Sequence, residues 1–271
     1  MDRLCVDKHE IIVGDCLEYL NEMPDGCIDV VVTSPPYNIG VAYRSYDDRK
    51  PRDVYLQFMH EVGKSLSRVL KSDGSLFLNM GSTNRDPWIA HDVSSLFRSM
   101  FILQNHIIWI KTVSIGDDSL GHFKPISSRR YLNQNHETIF HFTLSGDVQI
   151  DRLAIGVPFK DKSNIARRGH AHDRRCAGNC WFVPYQTVKS KVQKFDHPAG
   201  FPTELAARCI KMHGVSDGLV PLTVLDPFMG AGSTLVATAQ LDHRGIGIDI
   251  DRYYAESAVT RLQSFLNTPS E

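Results

Sequence analysis

The sequence predicts an α/β fold: a doubly wound, mostly parallel sheet with helices on both faces. Three observations predict it. Short apolar runs alternate with stretches of helical period along most of the 271 residues, the pattern of a parallel sheet covered on both sides. Two of those runs end abruptly in ligand-type residues, Asp29-Val-Val-Val-Thr-Ser-Pro-Pro-Tyr37 and Val224-Leu-Asp-Pro-Phe-Met-Gly-Ala-Gly-Ser-Thr234. Ligands of open α/β sheets sit at the carboxyl ends of strands. Finally, the strand after the glycine loop ends in an acid, Asp249, about twenty residues on and placed to hold ribose hydroxyls.

Taken in order, residues 9–13 read as a short strand ending in Gly14-Asp15, followed by a helix through 16–23. Pro24-Asp-Gly26 turns the chain into a buried strand at 29–33, which two prolines stop. The residue before each proline is pushed into an extended conformation, so Ser34 and Pro35 have a predictable backbone. Residues 38–52 carry no periodicity, and a loop of that length beside a site predicts a lid that is poorly ordered without its ligand. Apolar residues at 55, 58, 59, 62, 66 and 69 give a helix over 55–70, closed by Gly74. A strand over 75–80, a helix over 87–100 and strands over 105–110 and 137–143 follow. Residues 145–194 show little core pattern and many basic and aromatic side chains. The last third returns to order: helix 202–212, strand 223–226, helix 234–240, strand 245–249 and a final helix to 266.

A net charge of −1 gives no global signal for nucleic acid, so any attraction to phosphate must come from local clusters. The six cysteines are scattered, the amino terminus lacks a signal-type apolar run, and no stretch is long enough to span a membrane. A soluble, cytoplasmic protein with reduced thiols is expected. The glycine loop lacks the third glycine of a nicotinamide fingerprint. Its two glycines let a ligand approach the backbone, and Ser233 is placed to cap the helix that follows.

Thr33-Ser-Pro-Pro-Tyr37 resembles the catalytic tetrapeptide of the amino-methyltransferases that modify exocyclic amines of DNA bases. The strand–Asp-Pro-Phe-x-Gly-x-Gly-Ser-Thr–helix–strand–acid series resembles the S-adenosyl-L-methionine loop of the same enzymes. Because that loop lies near the carboxyl end, the next strand of the cofactor half must come from the amino terminus, and residues 11–15 fit the vacancy. This order resembles the beta group of the family, a circularly permuted sheet of Rossmann-like methyltransferase type. Gly74-Ser-Leu-Phe-Leu-Asn79, Ile107-Ile-Trp-Ile-Lys111, His136-Glu-Thr-Ile139 and His197-Pro-Ala-Gly-Phe-Pro-Thr-Glu204 extend the resemblance over most of the chain. Trp109 and Phe140 within these segments are expected in the core.

The resemblance implies catalysis by Ser34, Pro35, Pro36 and Tyr37. An exocyclic amine has its lone pair delocalised into the ring, so acceptors aimed at its hydrogens favour attack on a methyl sulfonium. The Ser34 hydroxyl and Pro35 carbonyl are suitable acceptors, and Tyr37 can stack on a flipped base. For the cofactor, the resemblance implies Asp15 at the adenine amine, Asp249 at the ribose, and Thr33, Asp226, Pro227 and Phe228 around the loop. Gly230, Gly232 and Ser233 form that loop, Pro198 and Phe201 wall the methionine end, and Thr203 caps a helix.

The expected organisation is a catalytic part over 1–144, a basic target-recognition insertion over 145–194 and a cofactor part over 195–271 of one domain. Contacts to DNA are expected from Tyr43, Arg44, Lys124, Arg129 and Arg130, and from Arg167, Arg168, Arg174 and Arg175. His170, His172, Cys176 and Cys180 have the residue types of a zinc site without the spacing of a standard finger. A buried Cys180 beside Trp181 is the alternative, and no metal is expected.

The serine that opens the tetrapeptide stands where many adenine enzymes of the family carry aspartate. The expected reaction is therefore methylation of N4 of cytosine in double-stranded DNA, with N6 of adenine as the alternative. An inactive methyltransferase-like DNA-binding protein is the alternative of another class, and RNA as substrate stays open. A carbon-5 enzyme is a poor third reading, because it needs a nucleophilic cysteine and the sequence contains no Pro-Cys pair. A cognate restriction endonuclease, a homodimer and a nucleoid location in a prokaryote complete the expectations.

Overall fold

The computed structural model describes residues 2–121, 126–167, 172–184, 200–214 and 221–268. In chain order the elements are β1 (Asp2–Val6), β2 (His9–Val13), α1 (Cys16–Glu22), β3 (Ile28–Thr33), α2 (Arg52–Val69), β4 (Leu70–Met80) and α3 (Ile89–Phe97). Next come β5 (Ile102–Ile110), β6 (Val113–Ile115), β7 (Asp118–Leu120), β8 (His136–Thr143), α4 (Ser163–Arg167) and β9 (Cys180–Phe182). The chain closes with α5 (Thr203–His213), β10 (Thr223–Asp226), α6 (Ser233–Gln240), β11 (Arg244–Asp249) and α7 (Arg252–Leu266). Among the described residues nine strands form one sheet in the order β1-β2-β11-β10-β3-β4-β8-β5-β9. The run from β2 to β4 is parallel, β8 is antiparallel to both neighbours, and β6 and β7 make a separate hairpin.

The permuted order is realised. β2 pairs parallel with β11, placing Val13 opposite Asp249 and His9 opposite Gly245. Strands from both ends of the chain thus share one sheet. The carboxyl ends of β2, β11, β10 and β3 form a continuous rim carrying Asp15, Asp249, Pro227 and Ser34.

β3 sits at the centre because it can be buried on both faces. Val31 packs into one core with Leu66 of α2 and Phe97 of α3. Val30 and Val32 point the other way, toward Phe77, Trp109 and the Leu205, Ala206 and Ile210 side chains of α5. α2 buries Tyr55, Met59, Val62, Leu66 and Val69, the stripe an amphipathic helix presents at i, i+3 and i+4. A third cluster joins Ile11 of β2 to Leu235 of α6 and Ala258 and Leu262 of α7. Trp109 and Phe140 lie in the core as expected. Among the described residues no helix is long and apolar enough to cross a membrane.

Candidate active site

The two prolines end β3 and hand the chain to a turn that is fastened on two sides. Tyr55 of α2 donates its hydroxyl to the Pro36 carbonyl at 2.8 Å, and Thr33 Oγ1 donates to Asp226 Oδ1 of β10 at 2.7 Å. Behind the turn lies a polar cluster. Ser34 Oγ is 2.7 Å from the Tyr37 hydroxyl, which is 3.1 Å from Glu137 Oε2 on β8. Asn79 of β4 directs Nδ2 at Glu137 Oε2 (2.7 Å) and the Tyr37 oxygen (2.9 Å). Lys111 pairs with Glu137 Oε1 at 2.8 Å. Burial, and after it the Glu137 carboxylate, pushes the Tyr37 phenol well above its ordinary pKa. Gly81 makes room for this cluster, since a Cβ there would stand 2.7 Å from a Tyr37 ring carbon.

Beside this turn the strand ends enclose a cavity lined by Gly14, Asp15, Ser34, Pro36, Pro227, Phe228 and Asp249. Asp249 Oδ2 accepts from the Gly230 N–H at 3.0 Å and Oδ1 from the Asp251 N–H at 2.8 Å. Burial raises its carboxyl to about 7. Asp15 borders the same cavity while capping α1, accepting from the Leu17 N–H at 2.7 Å. Residues 38–52 form the far wall through Tyr43, Ser45, Tyr46 and Lys50.

That loop differs from the unstructured lid expected of it. The Asp48 carboxylate accepts from the backbone N–H groups of Asn38, Ile39, Gly40 and Val41 at 2.8 to 3.1 Å. Asn38 ties its side chain to Lys50 in both directions, and Ser45 Oγ donates to Asp251 Oδ2 at 2.5 Å. One buried carboxylate thus replaces the missing apolar face.

Other expectations need correction. Ser233 and Thr203 do not cap their helices. Gly232, at φ 74°, is the N-cap of α6, where a Cβ would meet Ala258 Cβ at 2.9 Å, and Pro202 precedes α5 without a side-chain cap. Both hydroxyls instead accept from Arg261 of α7, Ser233 Oγ at 3.0 Å and Thr203 Oγ1 at 2.8 Å. Asp226 is buried away from the cavity and holds the loop from beneath, accepting from Thr33, Thr234 and the Phe228 N–H. Burial lifts its carboxyl to about 6. Phe201 packs against the α5-side core. Pro198, Lys124, Arg168 and His170 lie outside the described residues.

The expected DNA contacts separate into groups. Tyr43 lines the cavity, and the Arg44 guanidinium lies 4.3 Å from the Tyr253 ring centroid. Arg129 and Arg130 are exposed in the segment between β7 and β8, where Arg130 contacts the neighbouring Tyr131. Arg174 donates to the Leu153 and Ala154 carbonyls, in a segment that docks on the end of α5 through Asp151 N–H to Met212 O. That is the opposite end of the sheet from Ser34, and Arg175 bridges to Val157 nearby. Arg167 is exposed at the end of α4. Cys176 and Cys180 are both exposed, so the buried reading of Cys180 does not hold. Among the described residues no three His, Cys, Asp or Glu side chains gather as metal ligands.

Sequence reasoning missed Arg261, Asp48 and Asp251. Asp251 carried a local signal, an acid just before a helix, and it does cap α7 through the Tyr253 N–H at 2.9 Å.

A DNA methylase family model, that of the N6 and N4 methyltransferases, matches residues 28–260. Type II methyltransferase M.HpaI of Haemophilus parainfluenzae is 29% identical over 95% of this chain and 75% of its own length. The DNA adenine methyltransferase YhdJ of Escherichia coli is 26% identical over 93% of this chain and 82% of its own. Among solved structures, the cytosine-N4-specific PvuII DNA methyltransferase superposes with a TM-score of 0.70 at 16% identity, covering 96% of this chain and 91% of that one. The Thermus thermophilus protein TTHA0409, solved with S-adenosyl-L-methionine, gives 0.64 at 24% identity, covering 95% and 94%. At these identities the likeness is one of fold.

Proposed function

Since the chain belongs to the DNA methylase family of N6 and N4 amino-methyltransferases, we propose that it methylates N4 of a cytosine flipped out of double-stranded DNA. S-adenosyl-L-methionine is the methyl donor. The observation that carries the reading is that Ser34 and Pro36 line the same cavity as Asp15 and Asp249. Groups able to hold an amine and groups able to hold a nucleoside therefore meet at one rim.

The cofactor supplies an electrophilic methyl on a sulfonium. Asp249 takes the ribose hydroxyls with the lone pairs left over from Gly230 and Asp251, and Asp15 takes the adenine amine. Gly230 and Gly232 let the backbone come close, with Pro227 and Phe228 as walls. At the other side, Ser34 Oγ and the Pro35 carbonyl accept from the two hydrogens of the target amine and hold its nitrogen in line with the methyl. Tyr37 supplies a face for the extruded base. The neutral serine suits the smaller pyrimidine ring. N6 of adenine is the second reading, favoured by the likeness to YhdJ.

Residues 1–144 and 195–271 act as the catalytic and cofactor parts of one domain, and 145–194 as the target-recognition region. Phosphate contacts are assigned to Arg44, Arg129 and Arg130, which are exposed. We further propose a cognate endonuclease as partner and a place on the nucleoid in the cytoplasm, in keeping with relatives named as type II methyltransferases. A homodimer would double the phosphate contacts of a neutral body.

Expression in a methylation-free bacterial host followed by modification-sensitive sequencing tests the reading. Methylcytosine at one recurring sequence is expected. Tyr37→Ala should abolish most of that signal by losing a stack of about 1–3 kcal/mol, with cofactor binding retained. Unmodified host DNA from cells making soluble protein would overturn the enzymatic reading.

A further inference from the structure

We propose that Glu137 is a positioning residue that fixes the direction of every hydrogen bond behind the motif, so that Ser34 meets the target amine as a pure acceptor. The inference deepens the methyl-transfer reading and rests on it.

A serine hydroxyl is ambiguous, since it can donate or accept. An exocyclic amine presents hydrogens, so a serine whose own hydrogen pointed at it would repel it. Something must draw that hydrogen elsewhere, and the chain of contacts behind Ser34 does so. Glu137, paired with Lys111 at 2.8 Å, is as a carboxylate an acceptor only. The Tyr37 hydroxyl, 3.1 Å from Glu137 Oε2, must therefore donate to it. With its one hydrogen spent, the Tyr37 oxygen can only accept, and it stands 2.7 Å from Ser34 Oγ. Ser34 must then donate to Tyr37, and with Asn79 Nδ2 a donor 3.4 Å from Ser34 Oγ on the same inner side, the serine has only lone-pair density left to turn toward the amine.

Two further observations agree with this polarity. Asn79 turns Nδ2 toward Glu137 and leaves its buried Oδ1 without a partner among the described residues. The flipped amide would set an oxygen against the carboxylate at 2.7 Å, so the anion dictates the orientation. The Tyr37 phenol also keeps its proton through the neutral range, because burial and the neighbouring carboxylate raise its pKa. Ser34 thus does the accepting work of a carboxylate without a net charge at the base. The charge sits two hydrogen bonds deeper, balanced by Lys111.

The test is single-turnover methylation of DNA by the purified full-length protein with S-adenosyl-L-methionine. Glu137→Gln keeps the shape but can donate from Nε2, reversing the chain and turning the Ser34 hydrogen toward the amine. Its rate should fall about a hundredfold, with the Kd for cofactor and for DNA within twofold of wild type. Glu137→Asp should recover at least tenfold of that loss. Tyr37→Phe keeps the ring and cuts the link, so it should lose a similar factor, and the double variant should lose no more than either alone. An active wild type beside an equally active Glu137→Gln, or additive losses with Tyr37→Phe, would overturn the inference while leaving the methyl-transfer reading intact. A wild type that methylates no DNA would overturn both.

Discussion

Asp249 is where residue-level electrostatics and ligand binding meet. Burial raises its carboxyl to about 7, so the folded protein holds a proton there that the unfolded chain has lost by about pH 4. A raised folded pKa contributes stability that is complete below the unfolded value and lost as pH rises toward 7. In the proposed complex ribose hydroxyls donate to the ionised form, so cofactor binding should release that proton and weaken as pH falls from 8 to 6. Titration calorimetry should show this slope in the wild type and a flat profile in Asp249→Asn. Asp249→Ala should cost about 2 kcal/mol of affinity, roughly thirtyfold; a wild-type Kd in that variant would remove the assignment. The place of Ser34 and Asp249 on the cavity wall was legible from sequence, because Ser34 follows β3 directly and Asp249 closes β11. Glu137 and Arg261 were not legible as partners. Glu137 reaches Tyr37 across a separation of 100 residues, and Arg261 reaches Thr203 across 58, contacts that only the sheet order creates.

At the scale of elements, the loop over residues 38–52 shows why a period-based reading stops short. Its order comes from Asp48 gathering four backbone N–H groups, and such a knot leaves no repeating apolar signal. Asp48→Ala should free the loop locally. Trypsin should then cut after Arg44 or Arg49, and cofactor affinity should drop roughly tenfold, since each lost hydrogen bond contributes about 1 kcal/mol. The denaturation midpoint should move little, and a protease-resistant variant would show that other contacts hold the loop. The carboxyl end of β4 offers a second probe. Gly81→Ala puts a methyl against the Tyr37 ring, so methylation should fall at least tenfold while cofactor binding stays, and unchanged turnover would show the ring free to shift. β6, β7 and β9 escaped the sequence reading because three residues cannot show a period, and β1 because it is a mostly exposed edge strand. The long central elements were legible, since residues buried on one or both faces leave a continuous or helical pattern.

At the scale of the whole molecule, the permuted order follows from one constraint. A glycine loop placed late in the chain needs a neighbouring strand, and β2 alone supplies it beyond β11. Strands from both ends of the chain therefore lie side by side on one flank of β3, and strands from the middle lie on the other. With a net charge of −1, DNA affinity should rest on local clusters and fall steeply with salt. Light scattering at micromolar concentration should give a dimer, and a mass of only about 30 kDa would remove that proposal. The central claim, that the rim delivers a methyl group to a cytosine amine, is tested most directly by nucleoside mass spectrometry. Double-stranded DNA incubated with the purified protein and S-adenosyl-L-methionine should yield N4-methylcytosine. N6-methyladenine without N4-methylcytosine would contradict the claim.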